Sequence, residues 1–203
     1  MPDQPYNPLA KVHLAESITS TLLKRPRISL AEIGPPFEGA GIYVLYYTGR
    51  FPAYREIASR RDSVIYVGKA VPSGSRKGIE RSLETPAGQV LYARLQEHRE
   101  SIEQAAHIRP EEFDCRYLVV DDIFIPLAES LLINKYEPIW NIRLTGFGNH
   151  DPGSGRYKQQ RSPWDTVHPG RDWAMRCAAN KKAAQIIAEF GGGECPSFPP
   201  RVS

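Results

Sequence analysis

Hydrophobic residues along the chain fall into runs of two kinds. Short unbroken runs rich in β-branched and aromatic residues occur at GIYVLYY, VIYVGK and FDCRYLVV. Such runs read as buried strands, here over about residues 42–47, 64–67 and 113–120. Apolar residues at helical spacing occur in four longer stretches. Residues 7–24 carry Leu9, Val12, Ile18 and Leu22, and Gln89 to about Gln104 carries Leu91, Leu95 and Ile102. A third helix runs from Pro126 through Tyr136, opened by a proline at a tolerated position and ended by Pro138. A fourth spans roughly Asp172 to Phe190, where GGG stops it. Between these elements lie segments of turn residues with little periodicity: 48–63, with a short helix over AYREIASR, then 70–88 and 146–170. Pro26 and GPP at 34–36 separate the first helix from the first strand.

Three polar residues break the apolar pattern on sides that helical spacing turns toward the core. Arg94 and His98 sit with Leu91 and Leu95 on the second helix. A buried guanidinium needs partners for its donors. Glu129 lies in the arc between Leu132 and Ile133, on a helix that is apolar over most of its circumference. An unpaired carboxylate there costs roughly several kcal/mol, so it must be neutralised, paired or bound to a metal.

Composition narrows the class. Apolar residues at 41% and charged residues at 24% fit a soluble globular protein. No apolar run approaches the ~18 residues of a membrane helix, and the first residues lack a basic-then-apolar leader. Three widely spaced cysteines suggest neither a disulfide framework nor a zinc site. A cytoplasmic location and no membrane partner are therefore expected. The net charge of +3 says little, but its distribution says more. Residues 50–63 carry a net +2, and residues 69–81 and 141–161 carry +3 each. Positive charge thus gathers on the loop-like stretches, as a DNA footprint would. Asp121-Asp122 reads as a turn at a strand end rather than a metal pair, and His150-Asp151 lacks a third ligand.

The motif order points to one family. GIY in the first strand and Tyr-Val-Gly in the second resemble the two halves of the GIY-YIG nuclease motif, with Val67 for the usual isoleucine. Downstream come Arg94 and His98 in YARLQEH, Glu129 in AESLLINKY and Asn141 in EPIWN, in the family's order. The chain, with its insert and FGNHDPGSGR, resembles the Type II restriction endonuclease branch that cuts a GC-rich, CCGCGG-type palindrome. The resemblance implies an α/β (α+β) fold with a small, mostly antiparallel three-stranded sheet flanked by helices. On that reading residues 1–38 form an N-terminal helix and linker. Residues 39–145 form the nuclease core, with DNA-binding inserts at about 48–63 and 70–88. Residues 146–203 form a C-terminal loop and helix packed on that core.

The implied chemistry is phosphodiester hydrolysis in double-stranded DNA, leaving 5'-phosphate and 3'-hydroxyl ends. Glu129, the single carboxylate, would hold one Mg²⁺, with Mn²⁺ as a substitute. Arg94 would grip the scissile phosphate, and Asn141 would orient Glu129 or a strand end. The general base stays open. The resemblance favours Tyr43, with Tyr66 orienting water or phosphate, whereas the ordinary pKa values of ~10 for Tyr and ~6.5 for His favour His98. Tyr43 is taken as base, with His98 assisting and Lys69 helping to ionise it. Arg50, Arg55, Arg60, Arg61, Arg76, Lys77, Arg81, Arg156 and Lys158 are the candidate DNA contacts. A palindromic target cut on both strands implies a homodimer. Two other readings stand beside this one: a repair or homing-type GIY-YIG nuclease, and a non-cleaving DNA-binding protein on the same fold.

Overall fold

A computed structural model describes residues 7–60, 62–72 and 88–190. Four strands are present: β1 (Ile28–Ser29), β2 (Gly41–Tyr47), β3 (Val64–Ala70) and β4 (Phe113–Val119). The longer helices are α1 (Lys11–Lys24), α3 (Val90–Gln104) and α4 (Ile125–Tyr136). The short ones are α2 (Arg55–Ala58), α5 (Ile139–Ile142), α6 (Pro163–Val167), α7 (Asp172–Met175) and α8 (Ala183–Glu189).

The strands form one antiparallel sheet in the order β1-β4-β2-β3. All seven residues of β2 are buried, which explains the lack of polar alternation in GIYVLYY. Tyr43, Leu45 and Tyr47 enter a core with Leu91, Leu95, Phe113, Trp140 and Trp164. Ile42, Val44 and Tyr46 enter a second core with Leu22, Val67 and Leu132. Helices α1 and α4 cover this second face, and α3 with the C-terminal elements covers the first. Gly41 passes so close to β4 that a Cβ would lie 2.0 Å from the Leu118 carbonyl oxygen, so only glycine starts this strand. In β3, Gly68 lies opposite Tyr43 and Tyr66 opposite Leu45, and the register shifts only beyond them, between Leu45 and Tyr46.

The α/β architecture is the expected one, with two differences. The sheet has four strands, not three, because Ile28 and Ser29 pair with Cys115 and Asp114 at the β4 edge. The helix expected over 172–190 is broken into α7 and α8. Arg161 is the cause: its guanidinium takes the carbonyls of Ala174, Met175 and Cys177 at 3.0, 2.8 and 3.2 Å. A continuous helix would need those carbonyls for its own N–H groups. The Arg161 N–H also donates to the Ala178 carbonyl at 2.8 Å. As expected, α4 has proline in its first turn, and it ends at Glu137 in the left-handed region, φ 43°. Among the described residues no helix is long and apolar enough to cross a membrane.

Candidate active site

Tyr43 sits mid-strand in β2 and is fully buried. Its ring lies over Gly68 of the edge strand β3, where a Cβ would come within 2.3 Å of the phenol oxygen. The glycine of Tyr-Val-Gly therefore gives the Tyr43 ring its place. The hydroxyl reaches His98 Nε2 at 2.5 Å. His98 stands one turn after Arg94 on the same side of α3, as their spacing of four dictates, and it is buried. Tyr66 completes the group, its ring centroid 6.2 Å from that of Tyr43 and 5.4 Å from that of His98. Phe147 stacks on His98 at 4.4 Å.

Beside the two tyrosines, Arg94 is held by further partners. It donates to the Gly148 carbonyl at 2.7 Å and to Glu97 Oε2 at 2.7 Å, and it meets His150 Nε2 at 2.8 Å. Gly148 crosses directly over the site: a Cβ there would be 2.7 Å from the Tyr66 hydroxyl and 3.1 Å from Arg94 Nη2. The 146–150 loop thus roofs both residues.

Lys69 and Glu129 come together around the edge of the sheet. Lys69 Nζ lies 2.6 Å from Glu129 Oε2 of α4, with side-chain exposures of 33% and 19%. The half-buried carboxylate that the helical pattern singled out is therefore paired. Asn141 binds the outer rim of β3, accepting from the Val67 N–H and donating to the Val67 carbonyl, both at 2.8 Å. Of the two placements expected for it, it takes the strand. The clamp gives partners to backbone groups that an edge strand otherwise leaves open.

The electrostatics arise from burial. Burial pushes the Tyr43 phenol well above its ordinary pKa, the neighbouring Tyr66 raises it further, and Arg94 opposes both. Tyr66 is raised by burial, while Arg94 lowers it and Glu129 raises it. Tyr66 thus feels charges arriving from both sides of the sheet edge. Burial holds His98 well below the usual imidazole range, helped by Arg94, Arg171 and His150. A neutral His98 with its proton on Nδ1 accepts from the Tyr43 hydroxyl.

The structure thus brings Tyr43, Tyr66, Arg94 and His98 into one cluster and sets Glu129, Lys69 and Asn141 at the adjoining strand edge. Of the basic residues, Arg50, Arg55, Arg60, Arg156 and Lys158 are exposed. Arg61, Arg76, Lys77 and Arg81 lie outside the described residues. Asp122 opens a short 3₁₀ turn, Asp122–Phe124, in keeping with the turn reading. Among the described residues no group of three or more His, Cys, Asp or Glu side chains could hold a metal, so Glu129 stands as a single carboxylate. In the sequence, Phe147, Gly148 and His150 stand out only as part of the FGNHDPGSGR stretch that carries the resemblance, with no role in this site, and nothing marks Asp165 or Arg171.

An antiparallel sheet whose GIY and Tyr-Val-Gly strands set two tyrosines beside an α3 arginine and histidine defines the GIY-YIG nuclease class. Residues 35–190 match the family model of the Eco29kI GIY-YIG domain, and the chain belongs to this family of restriction-type nucleases. No curated protein matches the chain.

Proposed function

We propose that the protein is a site-specific Type II restriction endonuclease that hydrolyses double-stranded DNA at a GC-rich palindrome. The observation that carries the mechanism is the 2.5 Å contact between the Tyr43 hydroxyl and His98 Nε2, beside Arg94. A water attacks phosphorus and gives its proton to Tyr43, while the Tyr43 proton passes to His98 Nε2. The P–O3' bond breaks, the 3' oxygen takes a proton from solvent, and the products are a 5'-phosphate and a 3'-hydroxyl. The relay avoids a standing phenolate, which burial makes costly. Arg94 turns from the Gly148 carbonyl to the scissile phosphate. That phosphate anion offsets the positive field that disfavours a charged His98.

The donor set suits a hard divalent cation of the Mg²⁺ or Mn²⁺ kind: one carboxylate, Glu129, with water completing the shell. When bound, such an ion supplies positive charge against the charge that develops at phosphorus and on the leaving oxygen. Lys69 pairs with Glu129 and Asn141 keeps β3 in place beside it. Exposed arginines and Lys158 contact DNA, and two chains related by a two-fold axis cut the two strands of a palindrome. The restriction reading is favoured over the repair or homing type because the family model matched over residues 35–190 is that of a restriction endonuclease family.

Plasmid DNA incubated with the protein and Mg²⁺ tests this. Discrete fragments are expected. Ragged nicking would support the repair or homing type, and a band shift without cutting would support a non-cleaving binder. Tyr43→Phe and His98→Ala should each lower the rate by about 100-fold or more. If Tyr43→Phe cuts at a near-normal rate while His98→Ala does not, His98 takes water's proton directly.

A further inference from the structure

We infer that Arg171, just ahead of α7, is a positioning residue for the nuclease site, acting through the 146–150 loop. This inference rests on the cleavage reading above. The loop, GFGNH, belongs to no helix or strand, yet it touches the two central side chains of α3. Phe147 stacks on His98 and the Gly148 carbonyl accepts from Arg94. Where this loop sits therefore sets where His98 sits and the position from which Arg94 turns to the phosphate.

Arg171 holds the loop by its carbonyls. It donates to the Gly146 carbonyl at 2.9 Å and to those of Phe147 and Asn149 at 3.0 Å each. Its two remaining donors go to Asp165, at 2.7 and 2.9 Å. All five guanidinium donors are thus used, and the pair is almost fully buried, 2% and 1% exposed. The guanidinium lies over the rings of Trp164 and Trp173, 4.7 and 4.8 Å from their centroids. Asp165 is itself fixed by Ser162 at the start of α6, whose hydroxyl donates at 2.6 Å. Gly146, at φ 114°, packs against that same Ser162, where a Cβ would come within 2.1 Å of the hydroxyl.

Three main-chain carbonyls directed at one point repel one another, and a cation with several N–H donors holds them there. A buried ion pair is a poor source of stability in itself. This one has a geometric use: it turns a segment with no ladder of its own into a rigid wall of the site. A lysine could keep the charge and the contact with Asp165, but its single ammonium cannot span the carboxylate and three carbonyls.

The test compares wild type, Arg171→Lys and Arg171→Gln by thermal melting, amide hydrogen exchange over residues 146–150, duplex affinity in Ca²⁺, and single-turnover cleavage in Mg²⁺. Arg171→Lys should melt below the wild type but stay folded at the assay temperature, because buried carbonyls lose donors. It should bind duplex with near wild-type affinity, exchange faster at 146–150 and cleave about 100-fold more slowly. Should Arg171→Gln fail to fold, Arg171→Lys decides alone. A folded Arg171→Lys that cleaves at the wild-type rate, or shows unchanged exchange over the loop, overturns the inference. So does a loss of affinity equal to the loss of rate, since that marks general damage. Wild-type protein that leaves DNA uncut sinks the nuclease reading instead and takes the positioning role of Arg171 with it. In that case exchange still reports whether the clamp exists.

Discussion

At the scale of single residues, the site depends on close approaches that only particular side chains allow. Gly68 faces the Tyr43 ring, and the ring is boxed in by His98 and Tyr66. Gly68→Ala should therefore cost about 1–3 kcal/mol, the usual penalty for overpacking. It should also slow cleavage by about 100-fold, because the hydroxyl is moved. Urea denaturation and single-turnover rates check both, and a variant that loses stability but keeps its rate would show that the Tyr43 position is not critical. The catalytic candidates were legible in the sequence because each is an unusual residue type in an ordered set. Arg94 and His98 stand on an apolar helix face, and Glu129 stands among leucines. Phe147, Gly148 and Arg171 were not legible. Their roles arise from contacts between distant segments, such as Arg171 with Gly146, and no periodicity marks such contacts.

At the scale of elements, the edge strand β3 is where the two halves of the site join. Tyr66 and Gly68 face α3, Lys69 reaches Glu129, and Asn141 grips the strand from outside. Asn141→Ala leaves the Val67 N–H and carbonyl without partners, so a loss of about 1–3 kcal/mol is expected. Faster amide exchange at Val67 should accompany it, and unchanged exchange there would contradict the clamp. The longer elements could be read from hydrophobic pattern, which local packing enforces. What escaped was decided by side chains from elsewhere. Two-residue β1 carries too little pattern to be read, and the break between α7 and α8 is imposed by Arg161. Local composition over residues 172–190 favours one helix, and the half-buried Arg161 guanidinium, bound to three carbonyls, overrules it.

At the scale of the whole molecule, charge governs two further properties. Two buried imidazoles lie in the cores: His98, and His168 with its contact to the Tyr54 hydroxyl. Burial, with a smaller push from His107, lowers His168 to about 3, and burial first, then nearby cations, lowers His98. Both bind protons more weakly when folded than when unfolded. Their contribution to stability is therefore complete above the unfolded value of ~6.5 and is lost as pH falls toward the folded values. The slope should reach about 1.4 kcal/mol per pH unit for each histidine. Urea midpoints at neutral and mildly acidic pH measure it, and equal midpoints would contradict it. The second property is DNA affinity. If Arg50, Arg55, Arg60, Arg156 and Lys158 all neutralise phosphates, log K should fall against log salt with a slope of about −4 or steeper. Replacing one phosphate binder by glutamine should flatten that slope by about 1. Replacing a base reader should instead relax sequence preference.

The sealed interior of β2 also bears on how such a nuclease can diversify. On the proposed mechanism Tyr43 belongs to the hydrophobic interior and to the reaction at once, so substitutions that loosen the interior also detune the chemistry. In a random library, dead variants and poorly folded variants mapping to Gly41–Tyr47 should be largely the same clones. New target preferences would instead be sought on the outlying basic loops, where a changed side chain leaves the sheet untouched.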